Sequence, residues 1–179
     1  MPLIDAKEIV YAEIENIGKD RLKMDLIADA SASKRYISEI LRQCFLNIDE
    51  GDYKTQGDVC EALLHFILTA LSIPSDRKTA VGRIQLDIVI PSVKELKKDC
   101  SKAIVIQFIR RSSDQSLLAD AHEVQPDWLK IWAVSTLPLS FRCKAYSVSG
   151  IHPSFSSIIV DVQSFLAQKG IRGLKILGG

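Results

Sequence analysis

The stretch that decides the fold is residues 82–111, GRIQLDIVIPSVKELKKDCSKAIVIQFIRR. Arg83 to Ile90 alternates as a strand does, with Ile84, Leu86, Ile88 and Ile90 on one face and Arg83, Gln85, Asp87 and Val89 on the other. Pro91, which cannot donate to a ladder, ends it. KAIVIQFIRR reads as a second strand, apolar on both faces as a central strand is. Each run also holds one polar group that a core has no need of, Asp87 in the first and Gln107 in the second.

Outward from this pair the chain alternates between helical and extended patterns. On the N-terminal side, Ile9, Val10, Ile14 and Ile17 recur at helical spacing up to Gly18, and Leu22, Leu26, Ile27 and Ala30 form a second piece. A third helix, with Ser31 and Ser33 as candidate caps, has the stripe Ile37, Ile40, Leu41, Cys44, Phe45 and Ile48, and DEGDYKTQGD ends it. Asp58 then opens a helix to about Leu71, apolar around most of its circumference, with Asp58, Glu61, His65 and Thr69 in one narrow strip. On the C-terminal side, Ser112 and Gln115 have capping-box spacing for a helix that starts where the second strand stops. WLKIWAVST is a third strand, in which Trp128 and Trp132 share a face, and FRCKAYSVS is a fourth. A closing helix buries Ile158, Ile159, Val162, Phe165 and Leu166 and stops at Gly170. This order predicts an α/β fold: a mixed central sheet flanked by helices, residues 51–179, behind a helical N-terminal extension, residues 1–50. The stripes of that extension must pack on the rest of the domain or on a second copy, and a homodimer is the expected state.

Composition places the chain among folded globular proteins, with 47% hydrophobic and 25% charged residues. The N-terminus scatters acids among its apolar positions, unlike a signal peptide, and no apolar run is long enough to span a bilayer, so a cytoplasmic location is expected. Its richness in isoleucine and lysine has a thermophilic, archaeal flavour. Cys44, Cys60, Cys100 and Cys143 lie far apart with no paired histidines, which excludes the spacing of a zinc or dithiol motif. P-loop, nucleophile-elbow and dinucleotide-binding patterns are likewise absent from the sequence. The whole chain carries +1, yet Arg77 to Arg111 holds nine basic residues against three acids, +6 locally, leaving about −5 elsewhere. Such a segment is either a solvated connection or a phosphate-facing patch, with Lys94, Lys97, Lys98, Lys102, Arg110 and Arg111 as its cations.

The order of elements brings an acid of the first core helix, Glu61, toward Asp87 and Gln107. Their oxygens are the hard donors that Mg²⁺ or Mn²⁺ prefers. With LDIVIP as the aspartate strand and VIQFI as the following one, residues 55–135 resemble the PD-(D/E)XK nuclease superfamily of restriction enzymes and junction resolvases. The resemblance implies that Asp87 is the metal-binding aspartate, Glu61 the helix acid, Gln107 the second acid's counterpart and Ile109 the counterpart of the catalytic lysine. Glutamine still offers a carbonyl oxygen but no charge, and isoleucine can neither orient water nor neutralise phosphate. Alternation puts Arg110 on the face opposite Gln107, so only a bulge would turn it toward a site there, and Lys94 or Lys102 would have to move in from the connection. The expectation is a nuclease-like module, weak or inactive in catalysis, that binds nucleic acid or a partner protein through residues 77–111. An active Mg²⁺-dependent endonuclease using Asp87, Gln107 and Glu61 is the alternative, and a structural adaptor the second. The bland readings are a backbone-bonded Asp87, a Glu61–His65 pair on a solvated strip, and histidines 122 and 152 without a partner.

Overall fold

The computed structural model describes residues 5–148 and 154–170. His152 and the Gly-Gly tail lie outside them. Seven α-helices and five strands are described: α1 (Ala6–Ile17), α2 (Lys19–Ala28), α3 (Ser33–Phe45), α4 (Tyr53–Ala70), β1 (Asp76–Val81), β2 (Ile84–Ile90), α5 (Val93–Lys98), β3 (Ile104–Ile109), α6 (Ser116–Val124), β4 (Ile131–Ser135), β5 (Lys144–Ser147) and α7 (Ile158–Gln168). The strands form one mixed sheet in sequence order, with β1, β2 and β3 antiparallel and β3, β4 and β5 parallel. This is the α/β arrangement the sequence predicts, a mixed sheet between helices.

Strand β3 is central and buried at every position. Its Ile104, Ile106 and Phe108 join a large core with the buried stripes of α1–α4 and α7, while Val105 and Ile109 face a smaller core under α5 and α6. The stripes of the first 50 residues are therefore covered within this chain, Ile9, Ile14, Leu26, Ile37 and Ile40 in the same core as the sheet. Ile27 is the exception on α2, left 60% exposed.

Several local expectations change. Helix α4 starts at Tyr53 rather than Asp58, because Asp52 accepts a hydrogen bond from the Thr55 N–H and caps it a turn and a half earlier. Strand β1 is not predicted from the sequence: it is an edge strand of half-buried, largely polar residues, closed onto β2 by a turn at Gly82. Trp128 and Trp132 do not share a face. Trp128 sits in a 3₁₀ turn ahead of β4 and packs on the smaller core, stacked on His122 with centroids 4.3 Å apart, whereas Trp132 enters the large core. Residues Ser112–Gln115 form a 3₁₀ turn in which Asp114, not Ser112, takes the N–H groups of Arg110 and Arg111.

The alternation of β2 breaks at Asp87. Ile88 and Ile90 face the large core, but Leu86 and Ile84 pack on the smaller one with Val89. Opposite Asp87 on β1, between the pairs Arg77↔Ile88 and Thr79↔Leu86, stands Lys78 at φ 49°, a left-handed conformation that forces the ribbon to roll. The β2–β3 pairing runs only from Ile90↔Ile104 to Ile88↔Ile106, so beyond Ile88 the two strands part.

Ile106 is fully buried and pairs with Ile88 and Trp132 on its two sides. Ile106→Ala should therefore cost about 2–5 kcal/mol in urea unfolding with an unchanged slope. A cost under about 1 kcal/mol would show that the sheet centre is not packed as described.

Candidate functional site

The parting of β2 and β3 creates the site. Where backbone would have met backbone, side chains bridge the gap. The Asp87 carboxylate accepts the Phe108 N–H at 2.8 Å. The Gln107 amide does the converse for β2, its Oε1 accepting the Asp87 N–H at 2.8 Å and its Nε2 donating to the Gln85 carbonyl at 3.1 Å and the Leu117 carbonyl at 3.4 Å. Gln107, 1% exposed, thus stands in for a rung of the ladder and ties in α6.

On the α4 side of the same seam lies a cluster of charges. Arg110 follows β3 directly and turns its side chain toward α4. Its Nε donates to Asp58 Oδ1 at 2.7 Å, one terminal nitrogen donates to Glu61 Oε2 at 2.6 Å, and the other stands 3.7 Å from Asp87 Oδ2. Arg77 of β1 donates to the remaining Glu61 oxygen at 3.1 Å. Helix α4 can approach this closely because position 57 has no side chain: a Cβ there would lie 2.7 Å from Arg110 Cγ.

Glu61 and Asp87 accordingly meet, as predicted, but around a guanidinium and with Asp58 as a third acid. Gln107 reaches Asp87 only through the backbone. Arg110 does lie opposite Gln107, as alternation requires; the face it occupies is the one that α4 covers. Glu61 makes no pair with His65, since both of its oxygens are taken by arginines. Asp58 was legible from its three-residue offset to Glu61. Arg77, in a strand the periodicity does not mark, was not.

Burial pushes the Asp87 carboxyl above the ordinary range, aided by Glu61 and Asp114 and opposed by the Phe108 N–H and Arg110. For Arg110, burial works against the charge, but Asp87, Asp58 and Glu61 outweigh it and hold the guanidinium above its usual value. A permanently charged group in the middle of three acids is thus the electrostatic state of the site.

Mg²⁺ or Mn²⁺ would need oxygen lone pairs converging on one point. As arranged, Glu61 spends both oxygens on arginines, the Gln107 oxygen faces the Asp87 N–H, and a cation already stands among the carboxylates. Among the described residues no three acidic, histidine or cysteine side chains are grouped to hold a metal ion. The donor set does not fit a divalent ion in this conformation.

The six predicted surface cations fall into two places. Lys94, Lys97, Lys98 and Lys102 are exposed on the connection that enters β3, while Arg110 and Arg111 leave its far end. Seven residues, six of them strand β3, lie between Lys102 and Arg110, roughly 25 Å at strand rise. Arg111 is exposed with Asp114 beside it, and Arg110 is internal.

The mixed sheet between helices has the restriction-endonuclease-like fold, as two solved structures show. One is the restriction endonuclease PspGI–substrate DNA complex, at TM-score 0.66 and 14% identity over 93% of this chain and 94% of that one. The other is metal-depleted Ecl18kI in complex with uncleaved, modified DNA, at TM-score 0.61 and 10% identity over 97% of this chain and 82% of that one. No family model and no curated protein matches the sequence.

Two measurements test the seam. Gln107→Leu leaves the Asp87 N–H and the Gln85 carbonyl without partners, at about 1–3 kcal/mol each, and Gln107→Glu turns a carboxylate toward two carbonyls; both variants should be less stable than wild type. A Gln107→Glu protein as stable as wild type would dismiss the bridging role. The pH dependence follows from Asp87. Because its folded pKa is raised, its contribution to stability is greatest in acid and declines as pH climbs from the ordinary carboxylate value through the raised one. Asp87→Asn cannot ionise, so its stability relative to wild type should improve from pH 4 to pH 7, and a flat or falling difference would contradict the desolvated carboxylate.

Proposed function

We propose that this chain is a nuclease-like module that binds duplex DNA electrostatically and is weak or inactive in phosphodiester cleavage. The observation that carries the reading is the Arg110 guanidinium bound among Asp58, Glu61 and Asp87. Three bare carboxylates would repel a phosphate backbone unless a metal neutralised them. Arg110 and Arg77 perform that neutralisation from within the chain, so DNA can approach without a metal. What the guanidinium does not supply is a site for activating water, since it has no lone pair and no exchangeable ligand position. Ile109, in the place where the resemblance puts a catalytic lysine, is 1% exposed and packed in the smaller core.

The phosphate contacts are assigned to Lys94, Lys97, Lys98 and Lys102, four exposed cations within nine residues. That the PspGI and Ecl18kI structures are DNA complexes supports DNA as the ligand. Fluorescence anisotropy with a duplex of about 30 base pairs, across a salt series, tests it. Wild type should lose affinity steeply with salt, and the quadruple Lys→Ala variant should lose about 0.9 in the log–log slope for each phosphate contact removed. An unchanged slope, with the loss appearing instead in Lys78→Ala/Arg83→Ala/Arg111→Ala, would move the contact surface to the other end of the sheet. Absence of salt-sensitive binding would leave an adaptor protein. On the same samples, Mg²⁺- or Mn²⁺-dependent cleavage abolished by Asp87→Ala would replace this reading with an active endonuclease.

A further inference from the structure

The polar strip of α4 does two things along its length. Its first half, Asp58 and Glu61, is consumed by Arg77 and Arg110. Its second half, His65 and Thr69, opens instead into a cleft of about 280 Å³ between α1, α2 and α4. That volume is at the small end of ligand pockets, enough for a phosphate with a modest organic group.

Three helices meet at the cleft: α1 contributes Tyr11, and α2 and α4 each contribute a pair four residues apart, hence on one face, Lys19 and Lys23 from α2 and His65 and Thr69 from α4. Tyr11, Lys19, Lys23, His65 and Thr69 line the cleft, with Phe66 edge-on to Tyr11 at 6.0 Å as its apolar wall. Lys19 and Lys23 are half-buried, and neither forms an ion pair among the described residues. The His65 ring lines the cleft, and its Nδ1 is buried with no hydrogen-bond partner among them. Two like charges four apart on one helix face repel each other until an anion joins them. The one acid acting on His65, Glu61, already has both oxygens engaged.

We propose that this cleft binds a phosphate monoester, with Lys19 and Lys23 neutralising the dianion and His65 and Thr69 as hydrogen-bond donors. A monoester carries two charges for two lysines and three unesterified oxygens for the hydroxyl and imidazole, whereas a backbone phosphodiester carries one charge and two such oxygens. The ligand is either a free mononucleotide or the 5′-phosphate end of a nucleic acid. The site lies on other elements than the lysine connection of β3 and stands whether or not duplex DNA binds there.

In the free protein burial, then Arg77 and Lys7, hold His65 below the ordinary histidine range against the pull of Glu61, so an arriving dianion should draw a proton onto it. The test is an NMR titration of the His65 ring in the full chain with chloride, inorganic phosphate or 5′-AMP at matched ionic strength, with His122 as internal reference. Phosphate and 5′-AMP should raise the His65 midpoint by about half a unit or more, with His122 unmoved. In Lys19→Ala/Lys23→Ala, checked for folding by circular dichroism, 5′-AMP affinity by calorimetry should fall at least about tenfold. Adenosine binding as well as 5′-AMP would overturn the phosphate assignment, and so would a His65 shift that persists in the double variant. An unmoved His65 in wild type overturns the proposal without recourse to any variant. A short oligonucleotide that binds better with a 5′-phosphate than with a 5′-hydroxyl would name the nucleic-acid end as the source; indifference to that group alongside tight 5′-AMP binding would name the free nucleotide.

Discussion

Glu61 is 2% exposed, and a carboxylate that deep among aliphatic side chains has to be neutralised. Two arginines do so, Arg77 from β1 and Arg110 just beyond β3, and Arg110 also engages Asp58 and faces Asp87. Helix α4, strand β1, strand β2 and the end of β3 are thereby tied at one point. The acids and arginines require one another: losing either partner of a buried pair strands the other's charge, typically at about 3–5 kcal/mol. Gly57 is part of the same constraint, since only a bare backbone lets the Arg110 stem cross the helix.

The other half of the site is covalently adjacent and chemically separate. Gln107 faces away from the charges and spends its amide on backbone groups that the rolling of β2 at Asp87 leaves open. A neutral amide suits that task because it carries both a donor and an acceptor, where a carboxylate offers only acceptors. At the two positions where the resemblance would place an acid and a lysine, Gln107 and Ile109 therefore have structural uses of their own. Gln107 closes a seam and Ile109 fills a core. Arg110, one residue after Ile109 and on the opposite face, brings a positive charge to the acids.

The basic segment shows how sequence proximity and surface proximity differ. Lys94 to Lys102 and Arg110 to Arg111 are close in the chain, but a fully buried strand lies between them and carries them to opposite ends of the sheet. A net charge counted along a window is blind to that separation, and equally to the internal pairing of Arg77 and Arg110.

The sequence by itself determined the two central strands, the buried helix with its polar strip, the helical stripes and hence the α/β class, because periodicity is a local consequence of which faces meet the core. Asp87 and Glu61 were legible for the same reason, as polar groups breaking an apolar pattern. Edge strand β1, half-exposed and polar, broke no pattern and left no such mark. Only the tertiary structure decided that β2 rolls at Asp87, that Gln107 fills the gap, and that the acids gather around Arg110 rather than around Gln107. Those outcomes depend on which helix covers which face of the sheet, a relation between residues some 50 positions apart that no local spacing contains.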